Sequence, residues 1–114
     1  MKVVAAATTL LPSGNPGAVN VIVVAATDEG AIRLLNQEQG GWADLPAITQ
    51  SPVKSVALST VSSTKDIGTI NVIVVAALEN GEVLLYNGEA GGVWEPLPTV
   101  STDVPQPGEG DMVL

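Results

Sequence analysis

The segment Val19-Asn20-Val21-Ile22-Val23-Val24-Ala25-Ala26 returns as Ile70-Asn71-Val72-Ile73-Val74-Val75-Ala76-Ala77. Further along, Gly30, Leu34, Asn36, Glu38, Gly40 and Gly41 return as Gly81, Leu85, Asn87, Glu89, Gly91 and Gly92. The spacing is about 51 residues, the size of one four-stranded propeller blade or one helical repeat unit. A chain with this period folds as two copies of one supersecondary unit. The first unit is assigned to residues 1–52 and the second to 53–100, with 101–114 as a tail that has no counterpart.

Each unit divides into four strand-like pieces separated by turn residues. The first pieces are 3–10 and 53–61. The second pieces, 19–27 and 70–78, are apolar at nearly every position rather than alternating, which predicts burial on both faces. Asp28-Glu29-Gly30 and Glu79-Asn80-Gly81 close them, and Asn80-Gly81 reads as a two-residue hairpin because both types tolerate positive φ. The third pieces are 31–35 and 82–86. The fourth follow the glycine pairs, at 42–45 and 93–97, and lead into Pro46 and Pro98. Proline suits an outer edge strand, where a missing N–H breaks no ladder bond.

Charged residues make up only 14% of a chain that is 46% hydrophobic and has no Phe. Its core is therefore aliphatic, and its β-branched content favours sheet over helix. These features predict an all-β fold, a β-propeller with two four-stranded blades per chain. The alternative is a single-chain eight-stranded barrel or sandwich, which needs alternation that residues 21–26 lack. Propellers have four to eight blades, so two must be supplemented by other copies in a head-to-tail ring. A homotrimer with six blades is expected, since a lone chain would expose a large apolar flank. The tail holds Pro105, Pro107, Gly108 and Gly110 with Asp103, Glu109 and Asp111. It reads as a solvated extension, or as an arm whose Met112-Val113-Leu114 docks on the adjacent protomer.

The net charge is −8, with Lys2, Arg33, Lys54 and Lys65 the only cations. This acidic balance repels phosphate, so neither nucleic acid nor an anionic membrane is an expected partner. The longest apolar run is far short of the roughly 20 residues that span a bilayer. Cysteine and histidine are both absent. Their absence removes thiol nucleophiles, thiolate metal sites and the usual general base, so no enzyme, cofactor or metal site is expected. Met1-Lys2 followed by residues 3–11 has the outline of a short signal peptide. Alignment of Val4-Ala5-Ala6-Ala7-Thr8 with Val56-Ala57-Leu58-Ser59-Thr60 instead assigns it to the fold.

Asn20 and Asn71 keep a polar side chain twice in apolar surroundings. Each either ties a loop to the backbone or belongs to a ring of amides that binds a ligand or water. Trp42 and Trp94 either stack on a sugar face or cover a neighbouring blade from the outer strand. Tyr86 is a candidate pocket wall, although its repeat partner Leu35 favours packing. Asp28, Glu29 and Glu79 fall on one rim, as solvated turns or as loose Ca²⁺ ligands. Arg33 has no counterpart and is expected to pair with a nearby acid.

In layout the chain resembles the small two-blade, fucose-binding lectins of bacteria and fungi, which assemble as trimers into six-bladed propellers. The resemblance is carried by Ile70-Asn71-Val72-Ile73, Asn80-Gly81, Tyr86-Asn87-Gly88 and Gly92-Val93-Trp94. In the first unit it is carried by residues 19–22, Leu35-Asn36 and Gly41-Trp42. It implies a non-catalytic, multivalent, lectin-like protein that takes glycans, with Asn20, Asn71, Trp42, Trp94 and Tyr86 as ligand-binding candidates. In such lectins an Arg and a Glu clamp the sugar hydroxyls. The corresponding positions here hold Asn20 and Asn71, and Ile32 and Val83. A structural or protein-interaction ring without a small ligand is therefore the alternative.

Overall fold

The computed structural model describes residues 1–13, 17–62, 70–101 and 103. They form eight strands and no helix: β1 (Val3–Pro12), β2 (Val19–Thr27), β3 (Ile32–Asn36), β4 (Trp42–Leu45), β5 (Val53–Ser62), β6 (Ile70–Leu78), β7 (Val83–Asn87) and β8 (Trp94–Pro96). The strands make two antiparallel four-stranded meanders, sheet 1 ordered β1-β2-β3-β4 and sheet 2 ordered β5-β6-β7-β8. The all-β expectation is thus met, with one sheet in each repeat. The loop residues 14–16 and 63–69, and the tail beyond Asp103 with Met112-Val113-Leu114, lie outside the described residues.

Two local expectations change. The connection after β6 is a three-residue turn, Glu79-Asn80-Gly81, closed by Leu78 N–H to Glu82 O and Gly81 N–H to Leu78 O. Only glycines have positive φ among the described residues, so Asn80 does not adopt the left-handed conformation of a two-residue hairpin. The first strands also align differently. Asp28 N–H donates to Lys2 O and Glu79 N–H to Pro52 O, which makes Lys2 the counterpart of Pro52. β1 and β5 are therefore related by about 50 residues, two fewer than the Val4–Val56 alignment implies. A two-residue shift preserves which face each side chain occupies, so the error is silent in the hydrophobic pattern.

The cross-strand register assigns each side chain to a face. In sheet 1, Ala5, Ala7, Val24, Ala26, Ile32, Leu34 and Leu45 share the inner face. They pack on Val56, Leu58, Val72, Val74, Ala76, Leu84, Tyr86 and Trp94 of sheet 2. Ile48 and Val53, from the connection and the start of β5, complete this core. Burying a Val, Leu or Ile side chain contributes about 1.5–3 kcal/mol, so the seam is the main apolar stabilisation of the chain. Ala26 and Ala76, both fully buried, are small at the positions where the two sheets meet.

The two inner faces are not repeat equivalents. The counterpart of Val24 is Val75, which lies on the opposite face of β6 from Val74. The sheets therefore stack front to back rather than as mirror images. Each keeps one uncovered face: Val21, Val23, Leu35 and Trp42 on sheet 1, and Ile73, Val75, Leu85 and Leu97 on sheet 2. The expectation that the second strand is dry on both faces holds for Ile22, Val24, Ala26, Val74 and Ala76 on the seam side, while Val21, Val23, Val72, Ile73 and Val75 are only half-buried.

Candidate functional site

Asn20 and Asn71 sit near the start of β2 and β6 and are 5% and 7% exposed. Asn20 Nδ2 donates to Asn36 Oδ1 at 2.8 Å, and its Oδ1 accepts the Glu38 backbone N–H at 3.0 Å. Asn71 repeats this: Nδ2 donates to Asn87 Oδ1 at 2.8 Å, and Oδ1 accepts the Glu89 N–H at 3.1 Å. Asn87 Oδ1 also accepts the Glu89 N–H at 3.0 Å. Each amide therefore fastens the loop that leaves the third strand, with one donor and one acceptor engaged where water is largely excluded. Substitution Asn71→Ala is expected to lower unfolding stability by about 1–3 kcal/mol, because the Glu89 N–H and the Asn87 carbonyl lose a buried partner. Urea denaturation measures this, and an unchanged midpoint would show that the loop does not depend on the amide.

Asn20 and Asn36 also line a cleft of about 440 Å³ at one end of the seam. Leu11, Pro12, Ile22, Leu34 and Gln39 line it from sheet 1, and Ile70 and Val72 from sheet 2. Neutral amides over aliphatic walls suit an uncharged ligand with hydroxyls and C–H faces. Among the described residues the lining carries no ionisable side chain. Asn71 and Asn87 face the side of sheet 2 that, among the described residues, has no second sheet against it.

The aromatic candidates lie elsewhere. Trp94 Nε1 donates to Pro46 O at 2.7 Å, across the seam. Its ring centroid is 5.5 Å from that of Tyr86, with the planes tilted by 50°. Both rings pack against the core between the sheets. Trp42 lies on the uncovered face of sheet 1, half-exposed, in a hollow of about 220 Å³ with Val3, Ala25, Thr27 and Arg33. The five candidates therefore do not converge: Asn20 lines the cleft, Tyr86 and Trp94 bind the sheets together, and Trp42 and Asn71 face outward on opposite sides. Asn36 and Gln39 were not singled out from sequence. Asn36 was within reach, since its return as Asn87 is a second persistent polar position in the repeat.

Arg33 finds its acid in Asp44, directly opposite in the β3–β4 register, with Nε 3.2 Å from Oδ1. Both side chains are exposed, and such a pair contributes at most about 1 kcal/mol. Asp28 Oδ1 accepts the Lys2 backbone N–H at 2.9 Å, and this bond holds its carboxyl below the usual aspartate range. Thr27 Oγ1 accepts the Ala31 N–H at 3.1 Å and stiffens the same turn. Among the described residues no cluster of three or more acidic, Cys or His side chains could hold a metal ion.

No protein-family model, no curated protein and no solved structure matches this chain.

Proposed function

We propose that the chain is a non-catalytic, multivalent binding protein of lectin type, in which each sheet is a propeller blade and copies close into a six-bladed trimeric ring. Its ligand is a neutral glycan held in the clefts between blades. The observation that carries this reading is the seam cleft, in which Asn20, Asn36 and Gln39 present amides beside the aliphatic Ile22, Leu34 and Val72. Amides can donate to and accept from sugar hydroxyls, while the aliphatic wall accommodates C–H faces. Such a site is weak by itself, and repetition around a ring raises avidity without any new contact.

A glycan array probed with the wild-type chain and with Gln39→Ala tests this. Gln39 is exposed, so its removal leaves the fold intact. The expected result is binding to neutral glycans by the wild type, with at least a severalfold loss in the variant. A blank array overturns the glycan reading and favours a structural ring without a small ligand. That second reading draws on the Asn20 and Asn71 amides, which are already engaged in fastening loops.

A further inference from the structure

Several large apolar side chains are exposed in one repeat and buried in the other. Val3 is 59% exposed, whereas its counterpart Val53 is 4% exposed in the core. Val100 is 65% exposed, whereas its counterpart Ile48 is 2% exposed. Trp42 is 51% exposed, whereas Trp94 packs across the seam onto Pro46. Leu97 is exposed, whereas Leu45 packs against the core. The exchange sorts by side. Val3 and Trp42 belong to the uncovered side of sheet 1, and Leu97 and Val100 to that of sheet 2. Each is exposed where its repeat partner has a neighbouring sheet and it has none.

We propose that the uncovered face of sheet 1 docks on the uncovered face of sheet 2 of a second copy, reproducing the internal seam. In this contact Trp42 Nε1 donates to Pro98 O of the partner subunit, as Trp94 does to Pro46 within the chain. Val100 and Leu97 take the roles of Ile48 and Leu45, and Val3 that of Val53. A second copy is the occupant because the chain carries both halves of the seam in exposed form. The inference rests on the blade reading of the two sheets and is independent of the glycan.

Among β3, β4, β7 and β8, three positions carry a charge on one sheet and none on its repeat counterpart. Sheet 1 has Arg33 where sheet 2 has the buried Leu84, and Asp44 where sheet 2 has Pro96; sheet 2 has Glu95 where sheet 1 has Ala43. Register places Arg33 on the uncovered face of sheet 1, and Glu95, opposite Leu85, on that of sheet 2. Arg33 and Glu95 thus bring opposite charges to the two docking faces, with Asp44 beside Arg33. Arg33 Nε is engaged by Asp44, and the guanidinium carries further donors that suit a second carboxylate. Two sheet-1 faces would instead leave Trp42 without the carbonyl that only the sheet-2 side supplies, which favours head-to-tail over face-to-same-face pairing.

The test uses one variant on each side, Val3→Asp and Leu97→Asp, with mass read by light scattering after size exclusion at micromolar concentration. Both residues are exposed in the single chain, and circular dichroism checks that each variant is folded. The wild type is expected to be larger than one chain, and each variant alone to have the mass of one chain. Their equimolar mixture is expected to give a two-chain species, because each variant retains the side that the other lacks. A wild type of single-chain mass overturns the proposal, as does a folded variant that remains assembled alone or a mixture that stays single-chain. The seam cleft lies within one chain, so glycan titration of the single-chain variants reads the ligand separately from the assembly.

Discussion

A Gly30→Ala chain is expected to melt roughly 10 °C or more below the wild type, while Gly81→Ala falls by only a few degrees. Both glycines have positive φ, +87° and +93°, so alanine is strained at either, at a cost of about 1–2 kcal/mol. They differ in what a side chain would meet. A Cβ on Gly30 would stand 2.0 Å from Ile48 O, whereas one on Gly81 meets nothing within 4 Å. Ile48 N–H donates to Gly30 O at 2.9 Å, and the Ile48 side chain is part of the seam core. Alanine at 30 must push Ile48 away, which removes that hydrogen bond and part of a burial worth about 1.5–3 kcal/mol. Thermal melts of the two variants at equal concentration measure the difference. Equal shifts would show that Ile48 is not held by its approach to Gly30.

Trp94→Ala is expected to lower the stability of the chain by about 2–4 kcal/mol, and Trp42→Ala by less than about 0.5 kcal/mol. The two tryptophans are repeat counterparts, but only Trp94 has a sheet against it. Its removal breaks the bond to Pro46 O, the ring contact with Tyr86 and packing against the seam. Trp42 is half-exposed and has no side-chain hydrogen bond to lose among the described residues. Urea unfolding at concentrations low enough to favour single chains separates this term from assembly. Comparable losses in the two variants would mean that sheet 1 is covered on both faces within one chain.

The second strands were legible from sequence to the residue, because their apolar runs are long and bounded by Asn and Gly. β3 and β7 begin and end one residue later than expected, since Asn36 and Asn87 still pair with Ile22 and Ile73. A third-strand asparagine looks like a terminator by propensity, yet here it is retained because its side chain answers Asn20 or Asn71. The front-to-back stacking was not legible. Val21–Ala26 is apolar on both sides, so the pattern alone could not say which side meets sheet 2. For the same reason Trp42 and Trp94 read alike, although only the presence of a neighbouring sheet separates them. Asn20 stood out as a polar residue among aliphatic ones, but the cleft beside it needs Ile70 and Val72 from the other repeat. Sequence spacing carries no sign of that approach.

Sedimentation equilibrium of the wild-type chain across micromolar concentrations tests most directly whether two sheets are an incomplete ring. A ring of six sheets predicts a single species of three times the chain mass that persists on dilution through this range. A folded species of one chain mass throughout would contradict it.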